Sequence, residues 1–82
     1  MNVKKIHIQY YAVLREQRGL NQETLETKAS TAQDLFEELK LRFHFKLSSN
    51  LLRIAINNEF VAWQAPIKSG DSIVFIPPVA GG

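Results

Sequence analysis

One amphipathic stretch constrains the architecture more than any other feature of the chain. Ala32, Leu35, Phe36, Leu39 and Phe43 recur at helical spacing and form a single apolar stripe. Ser30 or Thr31 can cap the first turn. Asp34, Glu37 and Glu38 sit early and Lys40 and Arg42 late, which complements the helix dipole. The helix should fade near Phe45 or Lys46. A stripe of this kind must be covered by a second layer, and the rest of the chain offers mostly short strands to do so.

From Val3 to Tyr11 the residues alternate, with Ile6, Ile8 and Tyr10 on one side and Lys5, His7 and Gln9 on the other, the period of a half-buried strand. Ala12 to Arg18 is rich in helix formers and stops at Gly19, a suitable C-cap. Gln22 to Lys28 reads as a weaker strand antiparallel to the first, and Ser48-Ser49-Asn50 as a loop. Leu52 to Ile56 is rich in β-branched residues, and Asn57-Asn58 tolerates the positive φ that turns it back into Phe60-Val61-Ala62. After Pro66 and the turn Ser69-Gly70-Asp71, Ser72 to Ile76 forms a nearly all-apolar strand, expected to be covered on both faces. One face would meet the long helix and the other needs a partner. The order strand, strand, helix, then further strands predicts an α+β fold. A mixed sheet packs on one main helix, with a short helix beside it and the first and last strands adjacent in its middle: the β-grasp arrangement of ubiquitin.

The 82 residues suffice for one domain. Residues 1–76 are assigned to the β-grasp domain and 77–82 to an extended functional tail. Forty-five per cent hydrophobic residues argue against a disordered chain. With no cysteine, disulfides, thiolate catalysis and thiol-bound metal are excluded, and a reducing compartment is the natural setting. A net charge of +2 with scattered bases lacks the concentrated footprint of a nucleic-acid module. No stretch approaches the ~20 apolar residues of a membrane span. A cytoplasmic protein binding neither nucleic acid nor membrane is expected. His7 and His44 have no partner ligand at metal spacing, so no metal is expected. Glu37-Glu38 reads as a solvated helix face.

The chemistry is expected at the end of the sequence. Beyond Ile76 it reads Pro77-Pro78-Val79-Ala80-Gly81-Gly82. The prolines fix φ and lack donors, so they stop the strand and direct an extended tail outward. Six extended residues reach roughly 20 Å, enough to thread a channel in a partner. A terminal glycine leaves its carboxylate unhindered for nucleotidyl transfer and later acyl chemistry. Chance Gly-Gly at the end of a chain has a frequency of about 0.5%, which favours function there over a frayed terminus. Phe60, just past a turn, and Ile76, at a strand end, are the candidates for an exposed partner-docking patch.

The sequence resembles the small, sulfur-carrying subunit of molybdopterin synthase over essentially its whole length. Tyr11-Ala12-Val13-Leu14-Arg15-Glu16 with Gly19 resembles the family's aromatic-Ala-x-Leu-Arg-Glu segment, and Thr31 to Leu39 its helix. Ala55-Ile56-Asn57 resembles its Val-Asn turn and Ile67-Lys68-Ser69-Gly70-Asp71 its Leu-x-x-Gly-Asp turn. Phe75-Ile76-Pro77-Pro78-Val79-Ala80-Gly81-Gly82 is similar to the ending Phe-Phe-Pro-Pro-Val-x-Gly-Gly. Ile76 stands where the family usually has a second Phe, and many relatives are acidic where this chain is basic.

The resemblance implies a mechanism. A ubiquitin-activating-type enzyme adenylates Gly82 with ATP, and a sulfur donor converts the acyl adenylate to a thiocarboxylate. The tail Pro77, Pro78, Val79, Ala80 and Gly81 then carries it into the large synthase subunit, where a pyranopterin precursor accepts the sulfur. Catalytic side chains are expected on the large subunit and ATP on the activating enzyme, with no cofactor on this chain. Phe60 and Ile76 fall in the family's apolar interface, and a heterotetramer with the large subunit is implied. The same tail also admits a thiamine-pathway sulfur carrier, a ubiquitin-like protein modifier, or an interaction domain with an inert tail. The Pro-Pro spacer favours the first reading.

Overall fold

A computed structural model describes residues 3–77. Strand β1 (Lys4–Tyr10) is followed by helix α1 (Ala12–Arg18), strand β2 (Gln22–Thr27) and the main helix α2 (Ala32–Phe43). A single 3-10 turn, Ser49–Leu51, precedes β3 (Arg53–Ile56), β4 (Glu59–Val61) and β5 (Ser72–Ile76). The five strands form one sheet in the order β2-β1-β5-β3-β4. β5 runs parallel to β1 and antiparallel to β3, so the first and last strands lie side by side in the centre. This is the ubiquitin-like β-grasp arrangement, a mixed sheet packed on one main helix with a short second helix.

The alternation of β1 sends Ile6, Ile8 and Tyr10 into the core, all nearly inaccessible, as are Ile54 of β3 and Ile73 and Phe75 of β5. They meet Ala32, Leu35, Phe36 and Leu39 of α2, which are fully buried. Phe36 is the hub, with ring centroids 5.3 Å from Phe75, 5.6 Å from Trp63 and 6.2 Å from Phe45. Thr31 caps α2: its side-chain oxygen accepts from the Asp34 N–H at 3.2 Å, which satisfies one of the free donors of the first turn.

Three expectations are corrected. The main helix stops at Phe43, earlier than its composition suggests, because His44 adopts the left-handed conformation (φ 59). That conformation costs about 1–2 kcal/mol for a residue with a Cβ. It turns the chain so that Phe45 enters the core, 3% exposed and edge-on to Tyr10 at 5.9 Å, and burying an aromatic ring outweighs the strain. The last strand is not covered on both faces. Ile73 and Phe75 are sealed under α2, whereas Val74 and Ile76, on the opposite face, are only half-buried. Ser48-Ser49-Asn50, expected as loop, contributes two residues to the 3-10 turn.

Candidate functional site

The tail leaves from the central strand of the sheet. β5 has a hydrogen-bonded neighbour on each side: Phe75 lies opposite Tyr10 of β1, and Ile76 opposite Arg53 of β3. Phe75 is fully buried between Phe36 and Trp63, whose ring stacks on it at 6.2 Å. Pro77, the first tail residue, is half-buried at the end of this strand. Pro78, Val79, Ala80, Gly81 and Gly82 lie outside the described residues.

The sheet face turned away from α2 carries an apolar patch that reaches this root. Strand register aligns Phe60 of β4 with Ala55 of β3, and Ala55 with Val74 of β5. Ile76 lies two residues beyond Val74 on the same face. Phe60 is 59% exposed, unusual for a large aromatic ring. The Arg53 guanidinium sits over that ring, 4.3 Å from its centroid, a cation–π arrangement that holds the ring and caps the patch. Toward β1 and β2 the row turns polar, through Gln9 opposite Val74 and Gln22 opposite Gln9.

Phe60 and Ile76, singled out from the sequence, thus share one face, the first open and the second half-buried. Sequence reasoning missed Val74, Ala55 and Arg53. The signal for Val74 was present: the alternate residues of an all-apolar strand need cover, and a single main helix can cover only one face of the sheet. Arg53 carried no signal, because only the β3–β4 register brings it to Phe60.

A partly buried polar network braces the same end of the sheet. The Tyr10 hydroxyl, on a residue 1% exposed, donates to Glu23 Oε2 at 2.7 Å. Arg18 grips that carboxylate with both nitrogens, Nε to Oε2 and Nη2 to Oε1, each at 2.8 Å, the bidentate geometry that makes such pairs strong. Burial and the adjoining carboxylate push the Tyr10 hydroxyl pKa far up, so it stays a proton donor. Hydrogen bonding from Arg18 holds the Glu23 carboxyl below its ordinary range, and the same bond raises Arg18. α1 is thereby tied to β1 and β2 beside the tail root.

The histidines show no chemistry of this kind. His7 lies on the polar half of the sheet face, its Nε2 3.0 Å from Gln22 Oε1, and His44 terminates α2. Among the described residues no group of three or more His, Cys, Asp or Glu could hold a metal ion. No helix there is long and apolar enough to cross a membrane.

Comparison with known proteins extends this picture. The model of the ThiS family matches residues 8–82. The chain is 31% identical over 80 residues to the molybdopterin synthase sulfur carrier subunit of Haemophilus influenzae, covering 94% of this chain and 99% of that protein. Its fold matches a putative molybdopterin converting factor subunit 1 from Pyrococcus furiosus with a TM-score of 0.75 at 28% identity, covering 93% of this chain and 99% of the other. It also matches a chain of the complex of subunits 1 and 2 of the molybdopterin-converting factor from Helicobacter pylori. There the TM-score is 0.64 at 25% identity, with 95% and 99% coverage.

Proposed function

The chain belongs to the ThiS family, and from that premise we propose that it is the sulfur carrier subunit of a molybdopterin synthase. One structural observation carries the reading: the apolar patch of Phe60, Ala55 and Val74 runs up to Ile76, where the tail begins. A partner that covers this patch receives the tail at a fixed position. The names of the related subunits and the Helicobacter pylori complex support the large synthase subunit as that partner.

In the proposed cycle the Gly82 carboxylate attacks the α-phosphate of ATP on an activating enzyme of the ubiquitin-activating type. Pyrophosphate leaves and an acyl adenylate forms. A sulfur donor then displaces AMP, which gives the thiocarboxylate. Pro77 and Pro78 keep the tail extended, and the small residues Val79, Ala80 and Gly81 let it pass a narrow channel. In the large subunit the thiocarboxylate sulfur bonds to a carbon of a pyranopterin precursor, and water then cleaves the resulting thioester, which leaves the sulfur on the precursor and regenerates the Gly82 carboxylate. ATP belongs to the activating enzyme, and this chain contributes Gly82 as a carried reagent in the cytoplasm. Two copies flanking a dimer of large subunits is the proposed assembly.

Intact-mass spectrometry after incubation with the activating enzyme, ATP and a sulfur donor tests the reading. The mass should rise by the exchange of one oxygen for sulfur, and deletion of Gly82 should abolish that gain while circular dichroism stays unchanged. A truncated chain that still loads, or a full chain that never does, would refute it.

A further inference from the structure

We propose that the end of the molecule where β5 runs out is a cationic docking collar for an acidic surface on the adenylating enzyme, a reading that rests on the function proposed above. Three segments meet there. α1 follows the end of β1, where Tyr10 pairs with Phe75. The C-terminal end of α2 reaches the same place, since Phe45 packs on Tyr10 and the Lys46 backbone N–H donates to Gln17 Oε1 at 3.0 Å. Arg53, the first residue of β3, pairs with Ile76 itself.

The charge of this end is one-sided. Arg15, Arg18, Lys40, Arg42, Lys46 and Arg53 stand there against the carboxylates of Glu16, Glu23, Glu37 and Glu38, a net of +2. The rest of the chain sets Lys4, Lys5, Lys28 and Lys68 against the four carboxylates of Glu26, Asp34, Glu59 and Asp71, so the +2 of the whole chain resides at this end.

Folding accounts for part of the surplus. Glu23 holds Arg18, Arg42 reaches Glu38 at 3.4 Å, Arg53 lies over Phe60, and Lys40 and Arg42 complement the α2 dipole. Arg15 and Lys46 remain. Both are exposed, and neither forms an ion pair among the described residues. Like charges gathered at one end repel one another and do not help the compact state, so their use lies in an encounter.

The chemistry of the encounter selects the partner. Whatever docks at this end also meets the start of the tail. A loading enzyme must capture the chain quickly and release it after each turnover. Charge complementarity supplies fast association without a large apolar contact, whereas the sheet patch around Phe60 suits the longer-lived subunit complex. An acidic protein rim is therefore favoured over a nucleic acid.

The test is pyrophosphate exchange by the source organism's adenylating enzyme, with the full chain as substrate and ionic strength varied. R15E/K46E should lower kcat/KM on the order of ten-fold at low salt. The loss should reside in KM, leave kcat unchanged and fade as salt is raised. R15Q/K46Q should give a smaller loss of the same kind, so the result does not hang on one variant folding. K28E/K68E changes the net charge equally at the other end and should leave kcat/KM nearly unchanged. Equal losses from the two charge-reversed pairs, a fall in kcat alone, or salt-independent loading with retention of the chain on a single-stranded RNA would overturn the collar while leaving the sulfur-carrier reading intact. If the unaltered chain supports no exchange at all, the sulfur-carrier reading fails and the collar with it.

Discussion

Replacing Phe60 with alanine separates docking from folding. A phenylalanine carries roughly 200 Å² of surface, so the 59% left open on Phe60 corresponds to about 120 Å². Covering that area at about 25 cal/mol per Å² contributes about 3 kcal/mol. Alanine keeps part of the contact, so Phe60→Ala should weaken binding to the large subunit by about 2 kcal/mol, or about thirty-fold in Kd. The same ring contributes little to the isolated fold. Its loss removes the contact with Arg53, about 0.5–1 kcal/mol at an exposed site, which lowers Tm by a few degrees. Isothermal titration calorimetry and thermal denaturation measure the two quantities on one preparation. Leu41, on α2, is 79% exposed but lies off the sheet face, so Leu41→Ala should leave Kd within about two-fold. Equal effects from Phe60→Ala and Leu41→Ala would refute the assignment of the docking face, as would a Kd that does not move with Phe60.

Two predictions concern what holds the tail root. Glu23→Ala strands the buried Tyr10 hydroxyl and frees Arg18. It should cost about 1–3 kcal/mol, read as a Tm drop on the order of 10 °C. Because the folded state holds the Glu23 carboxyl below its unfolded value of 4.5, its stabilisation is complete above that pH and is lost as pH falls through the folded value. Wild type should therefore lose Tm faster than Glu23→Gln between about pH 5 and about pH 3, and parallel curves would reject the network. Phe36→Ala empties the hub of the aromatic cluster and should cost about 3–5 kcal/mol. That is a large share of the roughly 4–12 kcal/mol available to a domain of this size, and a loss under about 2 kcal/mol by urea denaturation would show that Phe36 does not carry the core.

The parts of the fold legible in the sequence are those where one local period matches one buried face. Ala32, Leu35, Phe36 and Leu39 mark α2 because only a helix brings them together, and Ile6, Ile8 and Tyr10 mark β1 for the corresponding reason at period two. The central pairing of β1 with β5 followed from the all-apolar run at Ile73–Ile76, but the two faces of that run have different fates that no local pattern records. Val74 and Ile76 look as apolar as Ile73 and Phe75, and only the side on which α2 packs shows that they are left half-open. The helix end was misplaced for a similar reason: His44 is no natural C-cap by composition, and what turns the chain there is the pull of Phe45 into a pocket formed by Tyr10, Phe36 and Phe43, all distant or ambiguous in sequence. The Arg53–Phe60 contact depends on a two-residue turn at Asn57-Asn58, both at positive φ. A shift of register by one residue there would have put Phe60 on the other face.

A carrier of this kind works better from a central strand than from an edge. An edge strand has one hydrogen-bonded neighbour and can fray under the pull of a threaded tail. β5 has two, and Phe75 is sealed one residue before Ile76. The distance from the Phe60–Ala55–Val74 row to the first tail residue is therefore fixed by the sheet. In the proposed mechanism, docking on that row would make tail insertion an intramolecular event with a short tether, so the two contacts would multiply rather than add. The advantage vanishes if the root is loosened. A destabilised Tyr10–Glu23–Arg18 network should thus reduce sulfur transfer even at temperatures where the domain stays folded and the docking patch is intact.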